Sequence, residues 1–227
     1  MSQATDLRVD LPHKGHVSAL FDRPADAWLL YVLAHGAGAG MRHRFMESIV
    51  RALSVRRVAT LRYQFPYMEA GARRPDSPAV AEATVRAAVA RATELAGGIP
   101  VMAGGKSFGG RMTSGAAAKS LPGVSGLVFL GFPLHPPGKA GTERADHLDN
   151  VEAPMLFLQG TRDQFAQLDL ITAVCRRLAP RATLHLIDEG DHSFNVPKRS
   201  GRDFSSVIDE LADTIVHWAS SSIGLVR

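Results

Sequence analysis

The sequence contains a single cysteine and no long apolar run. Cys175 alone excludes an internal disulfide framework. No uninterrupted stretch of about 18 apolar residues is present, so we expect no membrane-spanning helix. The opening residues, MSQATDLRVDLPHKG, lack the apolar core of a secretory signal. These absences predict a cytoplasmic protein that does not associate with a membrane.

Long basic runs are also missing. The 227 residues carry a formal net charge of +4, but arginine and lysine are scattered along the chain without interleaved aromatics. We therefore expect no nucleic-acid partner. The sequence has no internal repeat or low-complexity segment, and its length and 45% hydrophobic content suffice for one globular domain over residues 1–227.

Apolar, strand-like segments recur along the chain, and helical patterns separate most of the later ones. Most of these segments are continuous rather than alternating, which is typical of strands buried on both faces of a parallel sheet. Helical periodicity is found over residues 41–53, 78–96, 108–119, 165–178 and 203–219. In the second of these, Glu82 and Arg86 have the spacing of an ion pair. The alternation predicts an α/β protein with a doubly wound, mostly parallel sheet and helices on both faces.

Ser107 lies between two glycines directly after a predicted strand. Residues 99–104 are expected to form the strand and residues 108–119 the following helix, with Gly105 and Gly109 flanking the serine as G-x-S-x-G. Residues without a Cβ fit on either side of a sharp strand-to-helix turn that projects a serine hydroxyl. The pattern predicts a nucleophile elbow, although a glycine-rich turn whose serine merely caps the helix would also fit.

Two further residues follow later strands in the order expected for such a serine. A serine hydroxyl needs a base to become nucleophilic, and the base needs an acid that orients it. Asp163 follows the segment MLFLQG, and His192 follows the last predicted strand. As alternatives, Asp163 could cap the next helix, where Asp169 is a competing acid, and His192 could be a surface histidine. The order Ser107, Asp163, His192 favours a catalytic triad.

An oxyanion formed at Ser107 would need two hydrogen-bond donors. The main-chain N–H of Phe108, directly after the serine, is the expected first donor. The segment HGAGAG follows an early strand, and its Ala37 N–H is the expected second donor, with Gly38 as the less favoured alternative. A phosphate-binding loop is disfavoured, because Pro100 stands where a P-loop would need its first glycine.

Two segments are expected to line the pocket. RYQFPYMEAG follows a strand and offers Arg62, Tyr63 and Tyr67 as substrate-binding candidates, and GFPLHPPGK offers His135, although packing roles would also fit. Only about 20 residues separate the predicted strands near residues 124–132 and 154–159, which is too few for a large lid.

The ordered segments LAHGAGAGMRHRFM, RYQFPYMEAG, GGKSFGGRM, GFPLHPPGK, LQGTRD and GDHSF resemble the α/β-hydrolase superfamily across nearly the whole chain. Within it they are similar to small predicted bacterial hydrolases related to testis-expressed protein 30, which are lidless and of dienelactone-hydrolase-like size. The resemblance implies Ser107 as nucleophile, His192 as base and Asp163 as acid, and it implies no particular substrate.

The sequence therefore predicts a serine hydrolase that cleaves carboxylic esters of small-molecule acyl substrates. It needs no cofactor and no metal: His147 has Asp146 and Asp149 nearby but no second ligand pair at suitable spacing. A thioester, lactone or small peptide remains open as the substrate, as does a non-catalytic interaction module on the same fold. The sequence does not determine the oligomeric state.

Overall fold

The structure, a computed structural model, describes residues 4–12 and 15–222. Over these residues the chain forms eight strands, and each predicted strand segment contributes one of them. The strands are β1 Thr5–Asp10, β2 His16–Asp22, β3 Leu29–Ala34, β4 Val58–Tyr63, β5 Val101–Lys106, β6 Val124–Leu130, β7 Met155–Gly160 and β8 Ala182–Ile187.

The strands form one sheet in the order β1-β2-β4-β3-β5-β6-β7-β8. The six strands from β4 to β8 in this order run parallel, whereas β2 is antiparallel to both β1 and β4. Every residue of β3, β4, β5 and β7 is buried, which explains their continuous apolar sequences. The predicted mostly parallel, doubly wound sheet is confirmed.

Helices cover both faces of the sheet, as predicted. The helices are α1 Arg44–Val55, α2 Pro66–Glu69, α3 Pro78–Ala96, α4 Phe108–Ala117, α5 Leu168–Arg177 and α6 Phe204–Ser222, with 3₁₀-helices at Glu143–Asn150 and Lys198–Ser200. On one face α3, α4 and α5 pack over a core that includes Val85, Met112 and Ile171, and on the other face α1 and α6 enclose Ile49 and Leu211.

The expected ion pair between Glu82 and Arg86 within α3 does not form. Glu82 is buried, and its carboxylate instead binds Lys119 Nζ, 2.6 Å away, beyond the end of α4. An ion pair between α3 and the segment after α4 thus replaces the expected ion pair within α3. Helical spacing alone could not reveal this, because it says nothing about which helix packs alongside.

The connection between β6 and β7, residues 131–154, holds a loop and the 3₁₀-helix Glu143–Asn150. It contains no cap domain, which confirms the predicted lidless architecture. No helix within residues 4–12 and 15–222 is both long enough and apolar enough to cross a membrane.

Candidate active site

The parallel strands all end at the same edge of the sheet, and the predicted site residues follow directly after them. Ser107 follows β5, Asp163 follows β7 and His192 follows β8. The loop that begins at His35 follows β3, the strand beside β5. This edge is where ligands bind in open α/β sheets.

Ser107 occupies a strained turn between β5 and α4. Its backbone has φ 49° and ψ −111°, a conformation that L-residues other than glycine rarely adopt. The flanking glycines are required by close packing: a Cβ on Gly105 would lie 2.3 Å from Ala34 O, and one on Gly109 would lie 2.6 Å from His35 O. The serine side chain does not cap α4. The turn therefore has the geometry of a nucleophile elbow.

A continuous chain of hydrogen bonds joins the three predicted side chains. His192 Nε2 lies 2.9 Å from Ser107 Oγ, and His192 Nδ1 lies 2.7 Å from Asp163 Oδ2. Because a carboxylate only accepts, Nδ1 carries the proton and Nε2 is left to accept from the serine hydroxyl. Burial lowers the pKa of His192; the hydrogen bond to Asp163 opposes this, and the charge of Lys106 lowers the pKa further. A neutral imidazole beside a hydroxyl can act as a general base near pH 7.

Asp163 is fixed by contacts that the sequence did not indicate. Its side chain is fully buried, with Oδ2 accepting from Gln159 Nε2 at 2.5 Å and Oδ1 accepting from the Phe165 N–H at 2.8 Å. Gln159 Oε1 in turn accepts from the Phe132 N–H. The helix α5 begins only at Leu168, with Gln167 as its N-cap, so Asp163 does not cap it. A glutamine at the end of an otherwise apolar strand was the signal that could have revealed this support.

Lys106, directly before the serine, is a second residue that sequence reasoning missed. Its ammonium donates a 2.6 Å hydrogen bond to the His192 carbonyl and lies 5.4 Å from the centre of the Phe194 ring. Burial lowers the pKa of Lys106 to about 8, although the carboxylates of Asp163 and Asp191 oppose this. A lysine inside an apolar strand was visible in the sequence, but only the fold brings it to the His192 loop.

The loop after β3 places main-chain N–H groups beside the serine. A Cβ on Gly36 would lie 3.9 Å from Ser107 Cβ. His35 Nδ1–H donates to Gly36 O at 2.8 Å, and its Nε2 accepts from the Phe65 N–H at 3.1 Å. Because a trans peptide directs its N–H opposite to its C=O, the Ala37 N–H points away from His35.

The two preferred oxyanion donors have no competing acceptor. Within residues 4–12 and 15–222, the N–H groups of Ala37 and Phe108 donate to no protein atom. The Gly38 N–H is instead bonded to the Tyr67 hydroxyl at 3.0 Å. This geometry favours Ala37 over Gly38 as the partner of Phe108.

The four substrate-binding candidates, Arg62, Tyr63, Tyr67 and His135, are all buried and contact other parts of the protein. Arg62 forms an ion pair with Asp22, and Tyr63 lies in the core. Both belong to β4 rather than to the loop after it.

Tyr67 and His135 instead hold loops in place. The Tyr67 hydroxyl accepts from the Gly38 N–H, as described above. His135 Nδ1–H donates to Pro136 O, and its Nε2 accepts from the Gln167 N–H. Both side chains therefore support loops at the edge of the candidate site through hydrogen bonds to the main chain.

Comparisons with known proteins agree with this geometry. Residues 27–220 match a family model described as an alpha/beta hydrolase domain. The chain is similar to a dienelactone hydrolase from Anabaena variabilis, with 19% identity, a TM-score of 0.78 and 99% of each chain covered. It is also similar to a serine hydrolase without a lid from Xanthomonas campestris, with 19% identity, a TM-score of 0.74 and 96% of each chain covered. An esterase domain from Rhodothermus marinus matches with 16% identity and a TM-score of 0.74 over 96% of this chain and 98% of that one.

Proposed function

We propose that this chain, which belongs to the α/β-hydrolase domain family, is a serine hydrolase that cleaves carboxylic esters through an acyl-enzyme intermediate. The observation that carries the proposal is the hydrogen-bond chain from Ser107 through His192 to Asp163, built on a strained turn at the carboxyl edge of the sheet. The similar folds of an esterase domain and of a serine hydrolase without a lid support the same reaction class.

Acylation begins when Ser107 Oγ attacks the ester carbonyl carbon and its proton passes to His192 Nε2. The new C–O bond turns the carbonyl oxygen into an oxyanion, which the Ala37 and Phe108 N–H groups stabilise. When the tetrahedral intermediate collapses, the bond to the alcohol oxygen breaks and His192 donates its proton to that oxygen. The alcohol leaves and the acyl group remains on Ser107.

Deacylation repeats these steps with water in place of the serine. His192 Nε2 accepts a proton from water as the water oxygen attacks the acyl carbon, and the same two N–H groups stabilise the second oxyanion. Collapse returns the proton from His192 to Ser107 Oγ and releases the carboxylic acid. Throughout, Asp163 holds the imidazole in the tautomer with Nδ1–H and stabilises its charged form.

The test is covalent labelling of the serine. Intact-mass measurement after treatment with a fluorophosphonate should show a single adduct on the wild-type chain and none on Ser107→Ala. Ser120→Ala, which changes an exposed serine just after α4, is the matched control and should label like the wild type. A folded wild-type chain that forms no adduct would contradict the proposal. A panel of 4-nitrophenyl esters of increasing acyl length then identifies the preferred chain.

A further inference from the structure

Among the residues that the structure describes, two arginines in the elements that follow β5 and β6 have no anionic partner. Arg111 lies in the first turn of α4 and Arg144 lies at the start of the 3₁₀-helix Glu143–Asn150, and both are half-buried. Within the part of the chain that the structure describes, neither guanidinium forms an ion pair or a hydrogen bond. Neither guanidinium has a nitrogen that is both buried and unpaired, so both are open to a ligand from solvent.

A hydrogen bond one turn further along fixes how the two arginines are placed. Ser114 Oγ lies 2.7 Å from His147 Nε2, which joins α4 to the 3₁₀-helix. Arg111 precedes Ser114 by three residues, and Arg144 precedes His147 by three residues. Residues three apart share a face in both kinds of helix. Because both elements run away from the carboxyl edge of the sheet, this spacing places the two arginines on the side nearer Ser107, close enough for the charge of Arg144 to act on Arg111.

The electrostatics of the pair are unfavourable when nothing is bound. Burial lowers the pKa of Arg111, and the positive charge of Arg144 lowers it further. The nearby acids do not neutralise the pair: Glu82 binds Lys119 and Asp149 binds Arg177. The acids of the 3₁₀-helix itself, Glu143 and Asp146, form no ion pair with either arginine. An anion placed between the two guanidiniums would offset the repulsion and accept hydrogen bonds from both.

The pair also lies within reach of the candidate reaction centre. The Arg111 N–H donates to Ser107 O at 3.0 Å, so the two residues are one helical turn apart, about 5.4 Å along the axis. Helical side chains lean toward the N-terminus of their helix, so the Arg111 side chain leans toward the serine. Arg144 follows the loop that leaves β6, and the Ser107 N–H donates to Leu130 O at the end of that strand.

We propose that Arg111 and Arg144 form a subsite that binds an anionic group, a carboxylate or a phosphate, carried by the ester substrate. The subsite rests on the proposed function, because it is defined relative to Ser107. It narrows the substrate class to esters with a negative charge a few bonds from the scissile carbonyl. A planar carboxylate or a phosphate can accept two parallel hydrogen bonds from each guanidinium fork.

The kinetic test compares two esters that differ mainly in charge. Mono-(4-nitrophenyl) glutarate carries a carboxylate, and 4-nitrophenyl methyl glutarate is its neutral counterpart. We expect the wild type to prefer the anionic ester in kcat/KM. Arg111→Met and Arg144→Met should each reduce the ratio of anionic to neutral kcat/KM by about tenfold, which corresponds to about 1.4 kcal/mol. Arg176→Met, which changes an exposed arginine in the last turn of α5, is the matched control and should keep the wild-type ratio. A ratio that is unchanged in both subsite variants would overturn the proposal.

A binding test separates this subsite from the proposed chemistry. Ser107→Ala is titrated with glutarate and with inorganic phosphate by calorimetry, alone and combined with Arg111→Met. Saturable binding that the second substitution abolishes is expected, and the anion that binds more tightly identifies the group. If neither anion binds although the wild type labels with the fluorophosphonate, the subsite is refuted and the hydrolase proposal stands. Binding without labelling would support the subsite and count against the hydrolase proposal.

Discussion

The ammonium of Lys106 and the backbone carbonyl of His192 are joined by a 2.6 Å hydrogen bond, which ties the strand before the nucleophile to the loop of its histidine. The contact places a buried positive charge close to the imidazole, where it lowers the pKa of His192. Lys106 thus acts on the proposed base in two ways, by positioning its main chain and by disfavouring its protonated form.

The first prediction concerns the pH dependence of ester hydrolysis. Since His192 must be neutral to accept the Ser107 proton, kcat/KM should rise with pH, with a midpoint below the ordinary histidine value of about 6.5. Lys106→Met removes the nearby charge and should move this midpoint to higher pH. The measurement is kcat/KM between about pH 4.5 and 8 for both proteins, with Lys198→Met, an exposed lysine, as control. Identical midpoints in all three would show that Lys106 does not tune the base.

The second prediction concerns the pH dependence of the free energy of unfolding, to which Lys106 contributes. Its folded-state pKa of about 8 is lower than the unfolded value of about 10.4. Between these two values the unfolded chain binds more protons, so this lysine makes the free energy of unfolding rise with pH. Lys106→Met lacks this contribution. Its stability relative to wild type should therefore decline by about 3 kcal/mol from pH 7 to pH 10.5. Urea unfolding of both proteins across this range measures the difference; a constant difference would contradict the lowered pKa.

Much of the fold was predictable because strands that are buried on both faces of a sheet have continuous apolar sequences. The parallel strands β3, β5 and β7 read as continuous apolar segments, and α3 ends at Gly97, which adopts the left-handed conformation that glycine permits. The antiparallel placement of β2 beside β4 was not predicted, since strand order depends on contacts between distant segments.

The residues of the candidate site were likewise predicted only in part. Ser107, Asp163 and His192 were found because each follows a strand, and parallel strands end at one edge. Arg62 and Tyr63 were expected to follow a strand but are the last two residues of β4, because an apolar pattern does not mark where a strand ends. Gln159 and Lys106 were missed because their roles depend on groups far along the chain, which no local pattern identifies.

A third prediction tests the close packing at the elbow. An alanine at Gly109 would place its Cβ 2.6 Å from the His35 carbonyl, so strand and helix would have to separate. Gly109→Ala should therefore be destabilised by about 1–3 kcal/mol or more. At Gly36 a Cβ would meet its nearest neighbour, Lys106 Cγ, at an ordinary 3.5 Å, so Gly36→Ala is the matched control for stability. Equal melting temperatures for the two variants would argue against a tight elbow.

A fourth prediction addresses the acid of the proposed triad. Asp163→Asn preserves the shape of the side chain but removes its charge, and an amide can present its N–H₂ group to Nδ1, which favours the wrong imidazole tautomer. We expect kcat to fall by about 10⁴-fold while the fold is retained. Asp169→Asn, which changes an exposed acid in α5, should leave kcat unchanged. A loss of less than tenfold in Asp163→Asn would mean that His192 is oriented by other contacts.

The last prediction concerns the hydroxyl of Tyr67, which accepts the Gly38 N–H at 3.0 Å and so holds the loop that carries Ala37. Tyr67→Phe keeps the ring but leaves that N–H without its partner, and the loop should lose its preferred orientation. Because the proposed role of the Ala37 N–H is to stabilise charge that develops only in the transition state, the loss should appear mainly in kcat, by about tenfold or more, with KM little changed. Steady-state kinetics on one neutral ester measure kcat and KM separately for the wild type and Tyr67→Phe. A rise in KM at constant kcat would instead place the Tyr67 hydroxyl in substrate binding, and unchanged kinetics would show that other contacts, such as the Met41 N–H to Gln64 Oε1, suffice to hold the loop.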